Sequence, residues 1–167
     1  MPTTLVEIFR DSETHHRLSL FDLPDLKAIE AMLFEKNGKP YVKCLATDKD
    51  RPAKPEEIIR QLWIHKLINQ YGYPKSRITA EWPVNAGTEV KRADIVVFDK
   101  ERATVPFIIV ELKKPKLKDG KDQLKSYCNW TGAPVGVWSN GEQYSFYNRK
   151  DPNYFNDLTD APALLAA

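Results

Sequence analysis

Two apolar runs stand out along the chain: Ile95-Val96-Val97-Phe98 and Phe107-Ile108-Ile109-Val110. Both are partly β-branched and bounded by polar or Pro-containing segments, so each reads as a buried strand. The charged turn Asp99-Lys100-Glu101-Arg102 follows the first run, and connections this short suit antiparallel neighbours. Both runs carry charge at one end. Asp94 opens the first, and Glu111 and Lys113 close the second. An anion beside buried strands is costly unless it is paired or holds a cation.

Upstream, Ile58, Ile59, Leu62, Leu67 and Ile68 recur near helical spacing, with Trp63 flanking them. This predicts a helix from Pro55 to about Tyr71. Pro55 suits the first turn, Glu56 and Glu57 suit the positive end of the dipole, and Gly72 with Pro74 marks the stop. Glu57 has two readings, as a capping acid or as a further carboxylate aimed at the charged strand ends. Ile78 to Val84 reads as a strand, and Pro83 places it at an edge. A second helix is predicted over Lys121–Trp130, broken by Thr131-Gly132-Ala133-Pro134. Val135–Trp138 and Gln143–Tyr147 are strands joined at the Asn140-Gly141 turn signal.

The N-terminal part is less patterned. Residues 1–20 read as polar and irregular. Asp25–Leu33 reads as a short amphipathic helix, and Asn37-Gly38 as a turn. Tyr41–Leu45 reads as the second arm of a hairpin that begins near Met32 or Phe34. Residues 47–55 read as a linker or helix entry, and the tail from Arg149 as polar with apolar spots. The order of helix, three strands, helix and two strands predicts an α/β fold, a mixed β-sheet flanked by helices. Residues 1–50 form an N-terminal helix and hairpin extension in this reading, 51–150 the core and 151–167 a C-terminal tail, all in a single compact domain.

Composition narrows the classes. A chain of 167 residues with 42% hydrophobic and 29% charged residues is an ordinary globular domain. A net charge of +2 requires any nucleic-acid binding to come from a local patch. No run of 18 apolar residues and no signal-peptide pattern occurs, which predicts a cytoplasmic protein without a membrane partner. Cys44 and Cys128 lie far apart without a CxxC and read as free thiols. The pair His15-His16 lacks a third ligand at metal spacing and reads as a surface pair.

Charge and spacing together suggest chemistry. Phosphodiester hydrolysis needs a cation on the phosphate, a positioned water and stabilisation of developing charge. Mg²⁺ takes oxygen ligands, uses one or two protein carboxylates and keeps waters. Asp94 and Glu111 supply such ligands if their strands are neighbours, with the Leu112 carbonyl as a third. Lys113 lies two residues from Glu111, so the strand period puts both side chains on one face, where the lysine can position or deprotonate the water. Six lysines (Lys113, Lys114, Lys116, Lys118, Lys121 and Lys125) stand against Asp119 and Asp122 in residues 113–125. A lysine-rich loop is by default only solvated. Beside Glu111–Lys113 it reads instead as a phosphate-binding patch for DNA formed by Lys114, Lys116, Lys118, Lys121 and Lys125.

Asp94 followed by Glu111-Leu112-Lys113 resembles the signature of the PD-(D/E)xK nuclease superfamily, with Ala93 where that name has proline. Gln123-Leu124-Lys125-Ser126-Tyr127 resembles the QxxxY pattern of RecB-like nucleases, and its Gln and Tyr share a helical face. Four ordered blocks begin at Pro55-Glu56-Glu57, Arg92-Ala93-Asp94, Val110-Glu111-Leu112-Lys113 and Ser139-Asn140-Gly141. Over roughly residues 50–150 they resemble the N-terminal nuclease domain of type I restriction enzyme motor subunits.

The resemblance implies a restriction-endonuclease-like core and a Mg²⁺-dependent DNA endonuclease in which Mn²⁺ substitutes. It carries over Asp94 and Glu111 as metal ligands, Lys113 as the catalytic lysine, and Gln123 with Tyr127 as a supporting pair. Glu57 follows as an extra acid, with Glu56 as second choice. The partners it implies are DNA, a helicase-like translocase and other restriction subunits. No Gly-x-x-x-x-Gly-Lys-Ser/Thr phosphate loop occurs, so this chain alone cannot translocate. The alternative is a non-catalytic nucleic-acid-binding or interaction module that retains the nuclease fold.

Overall fold

Helix α3 (Pro55–Asn69) lies across one face of a sheet and is buried over most of its length. Proline at its first turn and the acids Glu56 and Glu57 fit the helix start. Ile58, Ile59, Leu62, Trp63, Ile64 and Leu67 are fully covered, so a truncation such as Leu62→Ala costs about 2–5 kcal/mol. The computed structural model describes residues 4–10, 18, 21–86, 88–113, 119–150 and 154–158.

The sheet has six strands in sequence order: β4 (Ile78–Ala86), β5 (Glu89–Phe98), β6 (Pro106–Leu112), β7 (Val135–Ser139), β8 (Tyr144–Lys150) and β9 (Tyr154–Leu158). Pro83 lies in the edge strand β4, the position in a sheet where proline is tolerated. Among these strands β6 and β7 form the parallel pair, and α4 (Lys121–Thr131) lies in the crossover between them, as parallel neighbours require. Helix α4 packs on a second apolar cluster, where Leu124, Tyr127 and Cys128 meet Ala93, Val96, Ile109 and Trp138. Gly136 permits this approach, since a Cβ there would meet Cys128 Sγ at 3.1 Å. The sheet is thus a middle layer with α3 and α4 on separate clusters.

The motif Ser139-Asn140-Gly141 builds the β7–β8 turn. Asn140 Oδ1 accepts from the N–H groups of Glu142 and Gln143 at 3.1 and 2.7 Å. Gly141 has φ 85°, and a Cβ there would meet Ile59 of α3 at 3.1 Å. This block therefore fixes a turn against α3.

Several elements differ from the sequence expectation. The N-terminal segment holds helix α1 (Leu5–Arg10), whose Leu5 and Phe9, one turn apart, enter the same core as α3. The helix predicted over Asp25–Leu33 is α2 (Leu23–Glu30), which ends earlier because Leu33 starts β1 (Leu33–Lys36). Asn37 and Gly38 at φ 54° and 75° make the two-residue turn to β2 (Lys39–Lys43), the hairpin geometry that needs positive φ twice. The expected linker contains β3 (Asp50–Pro52), which completes a separate three-stranded sheet. The expected polar tail contributes β9, anchored by Phe155 edge-on to Tyr147. His15 and His16 lie outside the described residues. Cys44 and Cys128 are both buried free thiols. Among the described residues no helix is long and apolar enough to cross a membrane.

Candidate active site

The β5–β6 register pairs Ile95 with Val110, so the next step brings Asp94 opposite Glu111. Asp94 Oδ2 accepts the Leu112 N–H at 2.7 Å, and the Asp94 and Glu111 carboxyls hydrogen-bond to each other. Glu111 is 5% exposed, and its Oε2 is buried without a hydrogen-bond partner. Burial first, then the charge of Asp94, pushes the Glu111 carboxyl up to about 9, with Lys113 opposing. Burial also raises Asp94, while the Leu112 N–H and Arg60 pull it down. Without a cation the pair therefore retains a proton at neutral pH.

Lys113 leaves the end of β6 with its N–H donated to the Ser139 carbonyl at 2.9 Å. Its side chain runs under Gly120, the residue before α4. A Cβ on Gly120 would come 2.8 Å from Lys113 Cε and 3.7 Å from Glu111 Cγ. Glu111 and Lys113 thus reach the same point, while Leu112 between them packs into the other cluster. Trp138, paired with Glu111 in the β6–β7 register, donates its indole N–H to the Asp119 carbonyl at 2.8 Å and closes that wall.

Helix α3 supplies the next group. Glu57 faces Arg60 at 3.4 Å and accepts from Gln61 at 3.0 Å. Glu56 is exposed, and its negative charge contributes to raising both Asp94 and Glu111. Of the two acids, Glu57 is thus held within the helix network and connects to Asp94 through Arg60, while the charge of Glu56 also acts on the pair. Burial raises Glu57, and Arg60 and Gln61 work against that rise. Arg60 also meets Glu81 and Asp94, each at 3.5 Å.

On α4, Gln123 Nε2 donates to Tyr127 Oη. Burial raises the Tyr127 hydroxyl, Gln123 lowers it, and the charges of Glu111 and Asp94 add to the rise. The pair therefore lies within electrostatic reach of the carboxylates. The Lys121 ammonium rests 4.7 Å from the Trp138 ring centre and that of Lys125 4.6 Å from the Tyr147 ring. Lys114, Lys116 and Lys118 lie outside the described residues.

Among the described residues no group of three or more His, Cys, Asp or Glu side chains is disposed to hold a metal ion. A hard divalent cation needs only one or two carboxylates and completes its shell with carbonyls and water. The partnerless Glu111 oxygen, buried beside Asp94, fits that requirement.

The sequence profile described as type I restriction enzyme R protein N terminus matches residues 55–162, from α3 to just beyond β9. The chain belongs to this family. A search of the curated proteins finds no match. Among solved structures, the chain is similar to a fragment assigned as an HsdR subunit of a type I restriction enzyme from Vibrio vulnificus YJ016. That likeness has 18% identity and a TM-score of 0.50, and covers 66% of this chain and 24% of that one. The chain thus spans about a quarter of that relative's length, and the likeness speaks for a shared fold. A protein belonging to DUF820 and assigned as a nuclease, from Anabaena variabilis ATCC 29413, aligns at 19% identity and a TM-score of 0.43, over 75% of this chain and 76% of that one.

This restriction R-protein N-terminal domain places three further residues at the site. Arg60, Glu81 and Gly120 all touch proposed site residues or their partners. Arg60 had a signal, a charge between apolar positions on a buried helix. Gly120, a glycine just ahead of the QxxxY helix, had a weaker one. Glu81 had none, because its role follows from a backbone angle.

Proposed function

We propose that this domain is a divalent-cation-dependent DNA endonuclease, served by Mg²⁺ with Mn²⁺ as a substitute. The observation that carries this reading is the buried pair. Asp94 and Glu111 meet from neighbouring strands, one oxygen of Glu111 has no partner, and Lys113 lies against the same glycine. Asp94, Glu111 and the Leu112 carbonyl are the groups to hold the cation. When bound, the ion supplies Lewis acidity toward the scissile phosphate and its attacking water. The Leu112 N–H fixes the orientation of Asp94. Lys113 orients the water and balances charge developing at the phosphate. Gln123 and Tyr127 brace the wall formed by α4. Glu57 assists through Arg60, and Glu56 adds negative field from the helix start.

Lys121 and Lys125, with Lys114, Lys116 and Lys118, bind DNA phosphates without reading sequence. Membership of the type I restriction enzyme R protein N-terminal family supports a place in a restriction system, where a translocase and other subunits bring DNA to this domain.

The test is metal-dependent nicking of supercoiled plasmid. Wild type nicks with Mg²⁺ or Mn²⁺, and Lys113→Ala lowers the rate by roughly 10²–10⁴-fold. Asp94→Ala abolishes nicking while the circular dichroism spectrum persists. Unchanged cleavage in both variants overturns the assignment. The competing reading is a module that keeps this fold and binds DNA without cutting it. That reading expects retained DNA and no nicking at any metal concentration.

A further inference from the structure

The carboxylates near the pair divide into two sets. Asp94 and Glu111 bond to each other, whereas Glu57, Glu81 and Asp94 converge on Arg60. Arg60 Nη1 lies 3.4 Å from Glu57 Oε1 and 3.5 Å from Glu81 Oε1, and Nη2 lies 3.5 Å from Asp94 Oδ1. Arg60 is 8% exposed. Glu81 is further held by Arg51 at 2.8 Å.

The backbone is bent to make this arrangement. Glu81 has φ 54° in the middle of β4, a region that non-glycine residues adopt only when their surroundings impose it. The β4–β5 ladder pairs Ala80 with Ile95 and Trp82 with Ala93, and skips the Glu81–Asp94 step between them. Side-chain alternation along β5 breaks at the same place, since Ala93 and Val96 share one cluster and Ile95 and Val97 the other.

In two-metal hydrolases the cations sit roughly 3.5–4 Å apart on either side of the reacting phosphate. Asp94 would be the carboxylate shared by such a pair, because its two oxygens face different groups. One oxygen turns to the Leu112 N–H, and the other to the guanidinium. The place a second cation would take, among Asp94, Glu57 and Glu81, is filled by Arg60. Arginine keeps its charge at any working pH, so the place stays filled. We propose that Arg60 is a built-in cation standing where a second metal ion would sit, so that the site takes one divalent cation, on the Glu111 side of Asp94. Arg60 is then a positioning residue that acts through Asp94. This inference rests on the nuclease reading.

Mn²⁺ titration without DNA tests it, read by electron paramagnetic resonance of free Mn²⁺ and by calorimetry. Wild type and Arg60→Lys bind one Mn²⁺ per chain. Arg60→Met, which opens the acidic cage, binds two and shows the spin coupling of neighbouring Mn²⁺ ions. Glu81→Gln removes a cage acid while leaving Arg60 in place, and binds one Mn²⁺ as wild type does, which tests the inference even if Arg60→Met does not fold. Two Mn²⁺ in wild type, none in Glu81→Gln, or one in folded Arg60→Met overturns the inference alone. No Mn²⁺ on wild type overturns the nuclease reading with it.

Discussion

The Leu112 N–H donates to Asp94 Oδ2 at 2.7 Å, tying the backbone between Glu111 and Lys113 to the strand that carries Asp94. A hydrogen bond to a carboxylate of this length is strong and directional. The tie sets the spacing of all three proposed site residues. Asp94→Asn retains an acceptor for Leu112, whereas Asp94→Ala leaves that N–H unsatisfied and takes one partner from Arg60. The alanine variant is therefore less stable than the asparagine variant by about 1–3 kcal/mol, and both lose Mn²⁺ binding. Urea denaturation and Mn²⁺ titration check this, and equal stability of the two variants contradicts it.

Glu111 sets a pH dependence. Its carboxyl is pushed up from its usual 4.5 to about 9. The folded state therefore binds more protons than the unfolded one between these values. The metal-free protein loses stability as pH rises through that window, by at most about 1.4 kcal/mol per pH unit from this group. Glu57 and Asp94, also raised, act in the same direction at the acid end. Glu81, which is lowered, acts oppositely there. Denaturation between about pH 6 and 9 shows the decline in wild type, and Glu111→Gln flattens it. Cation binding at neutral pH releases close to one proton. Calorimetry in two buffers of different ionisation heat detects that release.

The parts of the molecule legible in the sequence are those where one physical signal dominates. The apolar runs of β5 and β6 and the helical spacing of Ile58, Ile59 and Leu62 declare themselves through burial. Period-two geometry placed Glu111 and Lys113 together. Helix α1, β3 and β9 escaped because each is short and takes its stability from packing: Leu5 and Phe9 on the core, Pro52 beside Tyr41, Phe155 on Tyr147. The Arg60 cage escaped for another reason. A positive φ at Glu81 is a tertiary outcome with no local composition cue.

Gly120 is predicted to govern Lys113. An alanine Cβ would stand 2.8 Å from Lys113 Cε at a backbone φ of 99°. Gly120→Ala therefore displaces the lysine and strains the turn, costing about 1–3 kcal/mol. The two causes separate in a double-mutant cycle. In a Lys113→Ala background the clash vanishes while the backbone strain remains, leaving a coupling of about 0.5–3 kcal/mol. A coupling of zero shows that Gly120 serves the turn alone.

Tyr127 offers the last discrimination, between a brace and a bystander. Its ring is fully buried and tilts against Trp130 at 6.0 Å, while its hydroxyl accepts from Gln123. Tyr127→Phe keeps the ring packing and removes only the acceptor, so the stability cost is about 0.5–1.5 kcal/mol. The carboxylates that hold the cation stay in place, so Mn²⁺ binding is unchanged. If the Gln123–Tyr127 pair steadies the wall that carries Gly120 and Lys113, nicking slows while metal affinity holds. Gln123→Ala then gives the same split, because it removes the same bond from the other side. Folded variants that nick at the wild-type rate place the pair in the packing of α4 alone.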